Sequence, residues 1–95
     1  MARYVSLLKF TQQGIRSLKK SSVRAAAFCK AAGKAGVKVE AQLWTAGEYD
    51  GILILSADDE TKVLATIAKL AGLGNVQTQT LQAFDSTQFA AIVSK

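Results

Sequence analysis

The residues best suited to chemistry gather around Gly47-Glu48-Tyr49-Asp50. Between Gln42 and Asp50 lie the chain's only Trp (Trp44), one of its two Tyr (Tyr49), an amide (Gln42) and a carboxylate (Asp50). An indole and a phenol beside a few polar groups suit the wall of a small-molecule pocket. An acid there orients a ligand or serves as a general base. Arg3 and Arg16 are the cations best placed to hold a carboxylate or phosphate in a planar fork. Trp44, Tyr49, Asp50, Gln42 and Arg3 are therefore the candidate ligand-binding residues, and no complete catalytic set stands beside them.

Composition removes several chemistries. The chain has no His, which excludes a His general base, His metal ligation and a Ser-His-Asp triad. Its one Cys, Cys29, cannot form an intrachain disulfide or a thiolate zinc site. Cys29 sits in an Ala-rich run and reads as a buried structural thiol. The acidic cluster Asp58-Asp59-Glu60 falls where a helix should begin, and acids there serve the helix dipole. No metal and no cofactor is implied.

The candidate residues need a scaffold. Ninety-five residues with a hydrophobic fraction of 49% suffice for one domain with a core, taken as residues 1–95. Arg3 to Phe10 reads as a strand. Thr11 caps a short turn or helix, Gln12 to Leu18. Ser21 or Ser22 caps a second helical stretch, Val23 to Ala35, which Gly36 stops. Val37 to Thr45 and Tyr49 to Ser56 read as two strands joined by a Gly-containing turn, a β-hairpin. Asp58 opens a helix in which Val63, Leu64, Ile67, Leu70 and Ala71 follow helical spacing; Gly72 and Gly74 end it. Asn75 to Phe84 is a fourth strand. Asp85 or Ser86 caps a last helix, Thr87 to Val93, with Phe89, Ile92 and Val93 expected to face inward.

This β-α-β-β-α-β order predicts an α+β, ferredoxin-like fold: an antiparallel four-stranded sheet with helices on one face. Val37, Val39, Ala41 and Leu43 suit the helix side of their strand; Lys38, Glu40, Gln42 and Trp44 then fall on the other. Val5-Ser6-Leu7-Leu8 and Ile52-Leu53-Ile54-Leu55 are apolar on both faces, which predicts burial on both. A second copy of the chain is the simplest cover for the helix-free face. Regular pairing sets Trp44 beside Tyr49 on that face, with Gln42 and Gly51 next, and Asp50 opposite Leu43 on the helix side. The expected pocket then lies between sheets, and a bulge would break this register.

Several separated motifs carry a family resemblance. Tyr4-Val5-Ser6-Leu7-Leu8, Thr11-x-x-Gly14-Ile15-Arg16, Gly47-x-Tyr49-Asp50 and Leu73-Gly74-Asn75-Val76-x-Thr78-x-Thr80-Leu81-x-Ala83-Phe84 together resemble the GYD domain family. The resemblance covers nearly the whole chain. It implies a dimeric α+β barrel, in a family without an assigned biochemical role. Gly47-x-Tyr49-Asp50 with Val76-x-Thr78-x-Thr80 also looks, more loosely, like the ligand-sensing domain of leucine-responsive transcription regulators. Those bind amino acids between subunits; no helix-turn-helix accompanies the motif here.

Three function classes follow. The first is a small homodimeric or higher homo-oligomeric module that binds a small molecule or forms an assembly. The second, implied by the barrel resemblance, is a cofactor-independent monooxygenase or isomerase using Trp44, Tyr49, Asp50 and Gln42. The third is binding of nucleic acid or another polyanion. Residues 1–39 carry nine cations and no acid, and residues 40–95 three cations and seven acids, so the halves are +9 and −4. No aromatic interleaving or known nucleic-acid motif accompanies the basic half, so nucleic acid is the weakest of the three. Without an apolar leader or a membrane-length apolar run, the expected compartment is the cytoplasm, with no membrane partner.

Overall fold

A computed structural model describes residues 1–94. Strand β1 (Ala2–Phe10) leads through α1 (Gln12–Arg16) and a 3-10 turn (Leu18–Lys20) to α2 (Ser21–Lys34). Strands β2 (Lys38–Trp44) and β3 (Gly51–Ala57) form the hairpin. Helix α3 (Glu60–Gly72), strand β4 (Val76–Ala83) and α4 (Ser86–Val93) complete the chain. The strands make one antiparallel sheet in the order β2-β3-β1-β4, the ferredoxin-like arrangement expected from the sequence.

Local chemistry sets most boundaries. The Thr11 side chain accepts the Gly14 N–H and starts α1, and Asp59 does the same for α3 through Thr61. Asp85 and Gln88 form a reciprocal capping box at α4. The expected Ser cap of α2 is absent: Lys20 holds the N-cap position without a side-chain bond, because the 3-10 turn runs straight into the helix. Gly36 (φ +85°) and Gly74 (φ +83°) take the left-handed conformation that releases α2 and α3 into strands.

The motif Thr11-x-x-Gly14 docks on the loop that precedes β4. Thr11 N donates to Asn75 O at 3.1 Å, Thr11 Oγ1 donates to Gly74 O, and Gln13 Nε2 donates to Leu73 O at 2.9 Å. A Cβ on Gly14 would lie 2.1 Å from Asn75 O, so only glycine permits this approach. The separated Thr-x-x-Gly and Leu-Gly-Asn motifs are therefore two halves of one joint.

The core lies between the sheet and the helices. Tyr4, Leu53, Leu55 and Ala57 from the strands meet Val37, Ala32 of α2, and Val63 and Ile67 of α3. Leu64, expected with that face, is exposed. The opposite sheet face carries Val5, Leu7, Ile52 and Ile54, all partly buried, with no helix over them.

A β-bulge corrects the sequence reading of β2. Val39 pairs with Leu55 but Ala41 pairs with Ile54, so Glu40 is the extra residue. Val37 and Val39 do pack on the helix side. Beyond the bulge the alternation inverts, leaving Ala41 and Leu43 on the helix-free face and Gln42 and Trp44 beneath α2. Two further expectations fail. Phe89, Ile92 and Val93 are exposed, and α4 buries none of its residues. Cys29 is exposed, because it lies on the solvent side of α2.

Candidate functional site

Helix α2 rests on β2, whereas α3 rests on β3 and β4. The space between the two helices is a cavity of about 400 Å³ floored by the sheet. Its α2 wall includes small side chains, Ala25, Ala31 and Ala32, with Ala35 at the helix C-cap, which leave volume that larger residues would fill. Leu8, Phe10, Phe28, Leu53, Leu70 and Leu73 make it mainly apolar.

Three of the five candidate residues line this cavity: Trp44, Gln42 and Asp50. Gln42 Nε2 donates to Ala25 O at 2.8 Å, and Trp44 Nε1 donates to Ser21 Oγ at 3.0 Å. Both anchor β2 to α2. The expected Trp44–Tyr49 and Leu43–Asp50 pairs are replaced by Trp44–Gly51 and Leu43–Ile52, so Tyr49 and Asp50 belong to a longer turn. Thr45 closes that turn: its N–H donates to Asp50 O at 2.9 Å and its hydroxyl to Tyr49 O at 2.6 Å.

Asp50 sits at the end of β1. Its Oδ2 accepts the Phe10 N–H at 2.9 Å, and its own N–H donates to Leu8 O at 2.8 Å. A backbone N–H, not a cation, thus meets the carboxylate; neither Arg3 nor Arg16 bonds to it.

Tyr49 and Arg3 lie on the helix-free face, separated from the other three by the sheet. Tyr49 OH donates to Gln79 Oε1 at 3.0 Å, and Lys9 Nζ stands 5.3 Å from the ring centroid, a cation–π contact. Arg3 Nε meets Glu40 Oε2 at 3.5 Å, and both side chains are partly exposed. The nearby Ser56 hydroxyl, then the Arg3 guanidinium, holds the Glu40 carboxyl below the ordinary range against the opposing effect of desolvation. Ser56 Oγ is itself buried and has no hydrogen-bond partner within bonding geometry. Arg16 is exposed.

Arg24 is the site residue that sequence reasoning passed over as one basic residue among nine. It lines the cavity, and its Nη1 donates to Ser17 O and Ser17 Oγ, both at 2.9 Å. Its Nη2 is buried and has no hydrogen-bond partner. Arg24, Phe28, Ala31 and Ala35 recur at helical spacing, a signal that places one cation on an otherwise apolar face. Among the described residues, no group of three acid or thiol side chains is placed to hold a metal, and no helix is long and apolar enough to cross a membrane.

The sheet order, the helices on one face and the cavity between them define an α+β protein of ferredoxin-like architecture. The GYD domain family model matches residues 4–93, nearly the entire chain, and the protein belongs to that family. No curated protein and no solved structure matches it significantly.

Proposed function

We propose that this GYD domain is a small-molecule-binding module that works as a homo-oligomer. The carrying observation is the apolar cavity of about 400 Å³ between α2, α3 and the sheet, whose size falls in the range of small-ligand sites. The family motif contributes to its wall through Asp50, and Trp44 and Gln42 stand with it. The pocket of this proposal is on the helix side of each subunit rather than between sheets.

Assembly draws its support from a different surface. The helix-free face combines Val5, Leu7, Ile52 and Ile54 with the more exposed Leu43 and Leu81. An apolar sheet face of this kind reads as an interaction surface. Helix α4 adds exposed Phe89, Ile92 and Val93 at one end. A second copy presenting the same face covers both through a self-complementary, two-fold contact.

The catalytic alternative draws less support from the geometry, since Asp50 already accepts Phe10 N–H and Trp44 already donates to Ser21. The polyanion alternative draws no support of its own: Lys19, Lys20, Lys30 and Lys34 lie exposed along α2 and its approach, which an ordinary solvated helix face shares.

Titration calorimetry with 2-naphthylmethanol, a neutral apolar probe, tests the binding reading. The wild-type chain should bind it saturably, and Ala31→Trp, which fills the cavity from α2, should abolish binding while preserving the circular dichroism of the fold. Undiminished binding by Ala31→Trp places the probe elsewhere and overturns the reading.

A further inference from the structure

The cavity has one cationic corner. Three charged side chains stand on its wall, Arg24, Lys69 and Asp50, giving a net charge of +1. Among the described residues, no ion pair engages any of the three. Asp50 is committed through Oδ2 to the backbone of Phe10. Arg24 is held at one end only: Ser17 O and Ser17 Oγ fix Nη1, while Nη2 is buried without an acceptor. A buried guanidinium nitrogen without a partner is an unusual feature in a folded protein and calls for an explanation. Arg24 stands on the cavity wall with Ser17 as its hydrogen-bond partner and, among the described residues, no carboxylate beside it, so an anion entering the cavity meets an unpaired guanidinium.

Resting on the binding reading above, we propose that the natural ligand is an apolar monocarboxylate whose head group is held by the Arg24 guanidinium. The apolar walls contributed by Leu8, Phe28, Leu53 and Leu70 take the hydrocarbon body. The carboxylate brings the net wall charge to zero and adds a charge-assisted bond to the guanidinium. A dianionic phosphate ester would leave an excess negative charge beside Asp50 in a mostly apolar space. A neutral alcohol would supply only a weaker acceptor.

The test compares 2-naphthoate with 2-naphthylmethanol, which share a ring system and differ in the head group. Calorimetry on the wild-type chain should show the acid binding at least about tenfold more tightly than the alcohol, the ratio expected for one hydrogen bond to a charged group. Arg24→Gln should remove that preference while alcohol binding persists, and Lys69→Met should retain it. Equal affinities for acid and alcohol in the wild type, or a preference that survives Arg24→Gln, overturn the head-group assignment and leave the pocket itself standing. Binding of neither probe overturns both. If Arg24→Gln does not fold, the side-chain N–H signals of ¹⁵N-labelled Arg24 in the wild type decide: a shift specific to 2-naphthoate supports the assignment, and unmoved signals refute it.

Discussion

Asp50 and Phe10 are joined at 2.9 Å, with the carboxylate Oδ2 accepting the backbone N–H on which β1 ends. The acid of the Gly-x-Tyr-Asp motif thus ties the β2–β3 hairpin to the central strand. The bond is partly buried and charge-assisted, a class worth about 1.5–3 kcal/mol. Asp50→Ala should lower unfolding free energy by roughly that amount in urea titrations. Asp50→Asn keeps an acceptor and should lose less. Equal stability of wild type and Asp50→Ala would show that the motif acid does not hold the hairpin.

Two glycines separate contact from propensity. Gly14→Ala drives a Cβ toward the Asn75 carbonyl and should cost about 1–3 kcal/mol or more, as overpacking does. Gly33 lies inside α2 with open space where a Cβ would go, so Gly33→Ala should stabilise by about 0.5–1 kcal/mol. Thermal or urea unfolding of both variants checks the opposite signs.

Asp59 gives a pH signature. The Thr61 hydroxyl and then the Thr61 N–H hold its carboxyl below the ordinary range. A depressed folded-state value adds stability above the unfolded value of about 3.9, and that stability is lost as pH falls through the folded value. The difference in Tm between wild type and Asp59→Ala should therefore be full near neutrality and narrow steadily in acid. A difference that widens in acid would contradict the capping role.

The helix-free face predicts self-association. Leu43 and Leu81 are 54% and 45% exposed in the single chain, so lysine at either position costs the subunit little. Light scattering should give the mass of at least two chains for wild type and of one chain for the Leu43→Lys, Leu81→Lys double variant. A monomeric wild type at high concentration would refute the assembly.

How far the sequence disclosed all this depends on the kind of signal. Thr11, Asp85, Gly36 and Gly74 act through local backbone chemistry, so caps and stops at those positions were readable. The bulge at Glu40 was not, because Val37 to Trp44 keeps an alternating pattern in either register and nothing marks the doubled residue. Gln42 and Trp44 consequently changed faces. Helical spacing exposed an apolar side on α4, but spacing does not say what covers it. The cavity was hidden for a related reason. Ala25, Ala31, Ala32 and Ala35 read as helix propensity, whereas their consequence is a space between α2 and α3 that exists only in three dimensions.

Backbone amide mapping tests the central claim most directly. ¹⁵N–¹H spectra of the wild-type chain titrated with 2-naphthoate should shift amides around the cavity, at Ala25, Phe28, Gln42, Thr66 and Leu70, and leave those of Arg3, Leu7 and Gln79 on the opposite sheet face in place. Shifts confined to Arg3, Tyr49 and Gln79, or none at saturating probe, would contradict a ligand site between the helices and the sheet.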